Sequence, residues 1–163
     1  MIFHSFGNQI FYVFRMYRMP KFNKVLWELG RKTEDELKPD IDKFFGCDFY
    51  RNDDKFDVLD FHDDNNKVIV EVKGRKCSST AWKETILTVG KITEGLMEVE
   101  KGYDVYIFFV FTDKTMYIKL EQDKCNWTIR NTGTNYIPHY LIPVSDLTEF
   151  NTDELEEPVA EDN

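Results

Sequence analysis

Between Tyr103 and Thr112 the chain carries Val105, Ile107, Phe108, Phe109, Val110 and Phe111 with almost no polar interruption. A strand that hides only one face alternates apolar and polar residues, whereas a run that is apolar on both faces needs cover above and below. This segment therefore reads as the central strand of a sheet, buried on both faces. A second run, Val68-Ile69-Val70-Glu71-Val72-Lys73, has the same core-grade character but ends in charge.

That second run closes a candidate β-hairpin. Its first arm is Phe56-Asp57-Val58-Leu59-Asp60-Phe61, and its turn is drawn from His62-Asp63-Asp64-Asn65-Asn66, residues favoured in turns. Side-chain alternation puts Ile69, Glu71 and Lys73 on one face and Val68, Val70 and Val72 on the other. A carboxylate and an ammonium on an otherwise apolar strand are costly to bury unless they are paired or coordinate a metal. The register decides which acid joins them. A three-residue turn places Asp57 opposite Lys73 on the Glu71 face, and a two-residue Asn65-Asn66 turn places Asp60 opposite Glu71.

Upstream, the spacing predicts a helix from Thr33, with Thr33 as N-cap and Glu36 closing a capping box. Leu37, Ile41 and Phe44 or Phe45 recur at helical spacing, and Gly46 ends the element. Glu34 shares the inward face of Leu37 and Ile41, while Asp35 and Asp42 turn toward water. Pro39 is expected to split the segment into two short helices. Asp48-Phe49-Tyr50 reads as a short strand. Trp82, Ile86, Leu87, Val89, Ile92, Leu96, Met97 and Val99 fit one long amphipathic helix ending near Gly102, with Trp82 and Tyr103 in the core. Thr115 to Leu120 reads as a strand joined through Asp113-Lys114, and Asn126 to Tyr140 as weaker strand or loop. Residues 1–20 form an apolar and aromatic extension without assignable structure, and Met19 is an alternative start.

With 163 residues and 42% hydrophobic content, one domain over residues 1–150 is expected. Residues 151–163 form an acidic tail expected to be disordered. The net charge of −9 argues against duplex binding by a uniformly basic surface. The acids concentrate in the tail and between Glu34 and Asp64, and residues 1–32 are basic. Cys47, Cys77 and Cys125 are widely spaced, without zinc-site pairing, as expected of reduced thiols in an intracellular protein. No apolar run approaches membrane-spanning length, and the basic residues follow the N-terminal apolar patch, so neither a membrane location nor a signal peptide is expected.

The order of these elements and the residues Asp57 and Glu71-Val72-Lys73 resemble the PD-(D/E)XK nuclease superfamily over roughly Glu34 to Thr112, with Phe56 standing where the motif's proline would be. Tyr140-Leu141-Ile142-Pro143-Val144-Ser145-Asp146-Leu147 resembles the end segment of some viral and phage members. The resemblance implies a restriction-endonuclease-like core, a mixed central β-sheet flanked by helices in the order αβββαβ. It implies Mg²⁺-dependent hydrolysis of DNA phosphodiesters, with Mn²⁺ as a substitute, in recombination, repair or replication.

On that resemblance Asp57 and Glu71 hold the metal, with the Val72 carbonyl as a further ligand, and Lys73 orients the attacking water or stabilises the transition state. The family pattern favours Asp57, with Asp60 as runner-up. Glu34 is the supporting acid of the first helix, with Glu36 as its alternative. Arg75 and Lys91 are the expected nucleic-acid contacts. Members of the family form dimers or rings, so homo-oligomerisation is open. The competing expectation is a nuclease fold without catalysis that binds nucleic acid or protein.

Overall fold

The computed structural model describes residues 23–51, 59–132 and 136–151. Asp57, the N-terminal extension and the acidic tail lie outside them. The first element is helix α1, Lys24–Phe45, capped by Asn23, whose Oδ1 accepts from the Leu26 N–H at 3.2 Å. It begins nine residues before the expected cap, and Thr33 lies inside it, donating its hydroxyl to the Leu29 carbonyl at 3.0 Å. Pro39 lies within α1 on its exposed side and does not divide it. The loss is the one N–H that would have bonded back to residue 35. Gly46 ends the helix at φ 62°, a left-handed conformation that glycine adopts without a Cβ penalty.

Strands β1 (Phe61–Asp63) and β2 (Val68–Gly74) form the hairpin. Its arms pair Phe61 with Val70 and Asp63 with Val68, leaving a four-residue turn. The Asp63 carboxylate accepts from the N–H groups of Asn65 and Asn66 at 3.0 and 3.1 Å, and Lys67 closes the turn at φ 54°. The expected strand at Asp48-Phe49-Tyr50 is reduced to a single bridge between Tyr50 and His62.

The expected long helix from Trp82 is two elements, strand β3 (Glu84–Thr88) and helix α2 (Val89–Glu100). Ile86 and Leu87 suit either period. The β-branched residues Thr85, Ile86 and Thr88 and an antiparallel partner favour the strand. Then follow β4 (Asp104–Val110), β5 (Thr115–Lys119), β6 (Thr128–Thr132), β7 (Ile137–Pro143), a 3₁₀ turn at Val144–Asp146 and β8 (Thr148–Glu149).

These make two sheets, β1-β2-β4-β5-β8 and β3-β7-β6. The fold is mixed α/β with two sheets and two helices among the described residues. β2 and β4 run parallel, with Glu71 beside Ile107. As its composition demands, β4 is covered on both faces. Phe108 packs with Leu37 and Ile41 of α1 and with Val68, Val70 and Val72, while Ile107 and Phe109 pack with Ile92 of α2, Leu87 of β3 and Ile142 of β7. Helix α1 thus covers one face of the large sheet, and α2 with the small sheet covers the other. Burying each such Phe or Ile contributes about 1.5–3 kcal/mol. None of the helices among the described residues is long and apolar enough to cross a membrane.

Candidate active site

The alternation of β2 turns Val70 and Val72 toward α1 and leaves Glu71 facing α2, where it is only 2% exposed. Lys91, in the first turn of α2, reaches it from above, with Nζ 2.7 Å from Glu71 Oε2. The register seats a second acid here. One step beyond the Phe61–Val70 pair the chain bends at Asp60, and its Oδ2 accepts from the Val72 N–H at 2.8 Å. A side chain thereby completes a ladder bond that the departing backbone no longer makes. Asp60 also hydrogen-bonds the Glu71 carboxyl.

Burial pushes the Glu71 pKa up and the negative Asp60 adds to the rise, outweighing the attraction of Lys91. For Lys91 the balance is reversed. Burial disfavours its charge, but Glu71 and Asp60 together raise its pKa, so the ammonium is held protonated. Glu71 therefore keeps its proton to higher pH than an ordinary carboxyl, beside a charged Lys91.

Glu34 approaches from α1. Its pKa is raised by burial and then by Asp60, against the pull of Arg51 and Arg31. Arg51 lies 2.9 Å from Glu34 Oε2 and Arg31 lies 3.7 Å from the same oxygen. The alternative acid, Glu36, is exposed and pairs with Lys32 at 3.6 Å, so Glu34 is the helix acid that the fold brings to this place. Lys73, two residues along β2 from Glu71, is exposed, and among the described residues it makes no ion pair. A cleft of about 670 Å³ joins Glu34, Asp60, Glu71, Lys73 and Lys91.

The two expected nucleic-acid contacts are placed differently. Lys91 is committed to Glu71. Arg75 donates from Nε to Thr85 Oγ1 at 2.8 Å and from its terminal nitrogens to the carbonyls of Ile86 and Gly74, and it lies 5.1 Å over the Phe109 ring. Its guanidinium joins β2 to β3, and burial lowers its pKa to about 10. Trp82, expected in the core, is 71% exposed. Tyr103, expected there too, is half-buried and donates its hydroxyl to Asp64 at 3.0 Å.

Among the described residues no three His, Cys, Asp or Glu side chains stand together as a ready ligand set. The donor chemistry fits a hard divalent cation in part. Asp60 and Glu71 are adjacent carboxylates, and a cation between them would offset the repulsion that Asp60 adds to the buried Glu71. A third carboxylate would be Glu34, once released from Arg51, or Asp57, which lies outside the described residues. The chain matches no family model, no curated protein and no solved structure with which it was compared.

Proposed function

We propose that the chain is a divalent-metal-dependent nuclease, hydrolysing DNA phosphodiesters at the cleft of Asp60, Glu71 and Lys73 in an intracellular setting, with a restriction-endonuclease-like core. The observation that carries the reading is the pairing of Asp60 with a buried Glu71 on a strand whose next inward-phase residue is an unpaired lysine. The charge of Asp60 adds to the rise in proton affinity that burial imposes on Glu71 beneath an open cleft. Folding gains nothing from that. Order supports it in part: α1, β1, β2, α2 and β4 follow one another with β2 and β4 parallel in the large sheet, whereas β3 lies in the small sheet.

In this reading Asp60 and Glu71 hold Mg²⁺ or Mn²⁺, with Glu34 or Asp57 completing the set. The bound cation supplies charge neutralisation at the scissile phosphate and a more acidic water. Lys73, at the mouth of the cleft, presents a fixed positive charge to the phosphate oxygens and to the incoming water. Asp60 also keeps β1 and β2 in register through the Val72 N–H, and Glu34 is held in reserve by Arg51.

A second reading is a nuclease-fold binder without catalysis, favoured by the ammonium of Lys91 seated on Glu71 where a cation would lie. Labelled linear, branched and single-stranded DNA incubated with Mg²⁺, Mn²⁺ or EDTA separates the two. Metal-dependent cleavage that is lost in Glu71→Gln and Lys73→Ala is the expected result. Absence of cleavage with either metal on every substrate would establish the binder instead.

A further inference from the structure

Beside the carboxylate cleft lies a second cavity, of about 540 Å³, formed by the outward face of the small sheet and the loop that leads into it. The two share Arg75 and Phe111 as a common wall. Pairing of β3, β7 and β6 puts Ile86, Leu141 and Thr128 side by side, with Arg130 and Thr132 further along the same face. At its edge stands Trp82, 71% exposed, next to Lys83. An indole left in water on the loop entering a sheet gains nothing for folding.

The distribution of charge points the same way. Most lysines and arginines of the described residues are tied to an acid, as in Lys24–Glu28, Lys38–Asp42, Lys114–Glu149 and Lys119–Asp104. Among the described residues, the cations that take no ion pair are, apart from Lys43 and Lys67, all on the walls of these two cavities: Lys73, Arg75 and Lys76 on the first, Lys83 and Arg130 on the second. In a chain of net charge −9 they gather positive charge on the walls between an exposed aromatic ring and the carboxylate cleft, with Glu84 the acid on the second wall.

We propose that this face holds a single-stranded stretch of DNA, with a base stacked on Trp82 and its phosphates beside Lys83 and Arg130, and leads it over Lys76 to the cleft. The path into the cleft rests on the nuclease reading; the binding face does not. A duplex cannot offer the face of an internal base to an indole, because its neighbours in the stack occupy it. An unpaired strand can, and stacking of this kind tolerates any sequence. A protein partner would leave the concentration of unpaired cations unexplained.

Binding and cleavage are read separately. Fluorescence anisotropy of a labelled short oligo-dT with the full chain in EDTA reports the first, with an unlabelled duplex of equal length as competitor. Trp82→Ala weakens oligo-dT binding about 5- to 150-fold, as expected for one lost base stack, and Trp82→Phe restores most of it. Arg130→Ala lowers the slope of log affinity against log salt by about 0.7. Equal affinity for duplex and single strand, or oligo-dT binding indifferent to Trp82→Ala, overturns the proposal. Cleavage in Mg²⁺ with binding indifferent to Trp82 defeats this inference alone. Trp82-dependent binding without cleavage of any DNA upholds it and defeats the hydrolytic reading.

Discussion

Lys91 Nζ and Glu71 Oε2 meet at 2.7 Å between helix α2 and strand β2, and the carboxylate they join has almost no surface of its own. Lys91 keeps some access to water, with 26% of its side chain exposed. The ammonium therefore supplies the cation for a buried anion and can be exchanged with solvent from one side. Both the stability of the sheet and the chemistry of the cleft pass through this contact.

At a pH above the raised pKa of Glu71, replacing Lys91 by Met leaves its carboxylate buried without a counter-charge. Breaking a buried pair in this way costs about 3–5 kcal/mol, and the partial exposure of Lys91 places the expected loss near the lower figure. The denaturant midpoint measures it. The Lys91→Met, Glu71→Gln double variant recovers most of that loss, because no anion is then stranded. Mg²⁺ raises the melting temperature of Lys91→Met more than that of the parent chain. Equal shifts would mean that the ammonium and the metal do not compete for Glu71.

Stability depends on pH through the same group. Glu71 has a raised pKa in the folded chain, so above its ordinary value of 4.5 the folded state binds more protons than the unfolded one. Under that condition stability falls as pH rises, and the loss is complete once pH passes the raised value. Glu34, also raised, acts in the same direction. Asp63 acts oppositely. Held down to about 2 by its bonds to Asn66, it contributes stability above 3.8 that disappears as pH drops toward 2. Chemical denaturation across pH should show the downward neutral slope flattened in Glu71→Gln. An unchanged slope would remove Glu71 as its source.

Asp60 has a structural and a chemical part that substitution can separate. Asp60→Ala strands the buried Val72 N–H and costs about 1–3 kcal/mol, whereas Asp60→Asn keeps an acceptor for that N–H and stays close to parental stability. Both abolish metal-dependent cleavage if the carboxylate is a ligand. Activity surviving in the Asn variant with Asp57→Ala inactive would transfer the ligand role to Asp57.

The two glycines of α2, Gly95 buried and Gly90 facing open space, should respond in opposite senses to alanine. A Cβ on Gly95 would come within 2.5 Å of the buried Leu120 side chain and 3.4 Å of Val105, while one on Gly90 meets nothing within 4 Å. Gly95→Ala is expected to destabilise by about 1–3 kcal/mol through overpacking. Gly90→Ala should gain up to about 1 kcal/mol from helix propensity. Thermal melts of the pair check the seat of α2 on the large sheet.

Composition made β4 legible, because six bulky apolar residues in one short run allow few other placements, and a glycine at position 46 made the end of α1 legible. The start of α1 was hidden by Thr33-Glu34-Asp35-Glu36, which has the pattern of a cap but is held inside a helix by the residues on either side. The acid beside Glu71 hung on the turn. Its length is set by two bonds to Asp63 and by a lysine at positive φ, and a non-glycine residue there gives no signal in sequence. Strand β3 was missed because Ile86 and Leu87 satisfy both periods and the deciding partner, β7, lies about fifty residues away in the chain. The expectation of a buried Trp82 rested on the same helix, which would have turned it inward; in the loop before β3 it is exposed.

Arg75 clasps two strands that belong to different sheets. Its backbone N–H is bonded to Val110 at 2.8 Å, while its side chain grips Thr85 and Ile86. The exit of β2 and the entry to β3 are consequently fastened at one point, two positions beyond Lys73. The position of the lysine at the cleft is thereby tied to the small sheet through a single side chain two residues away.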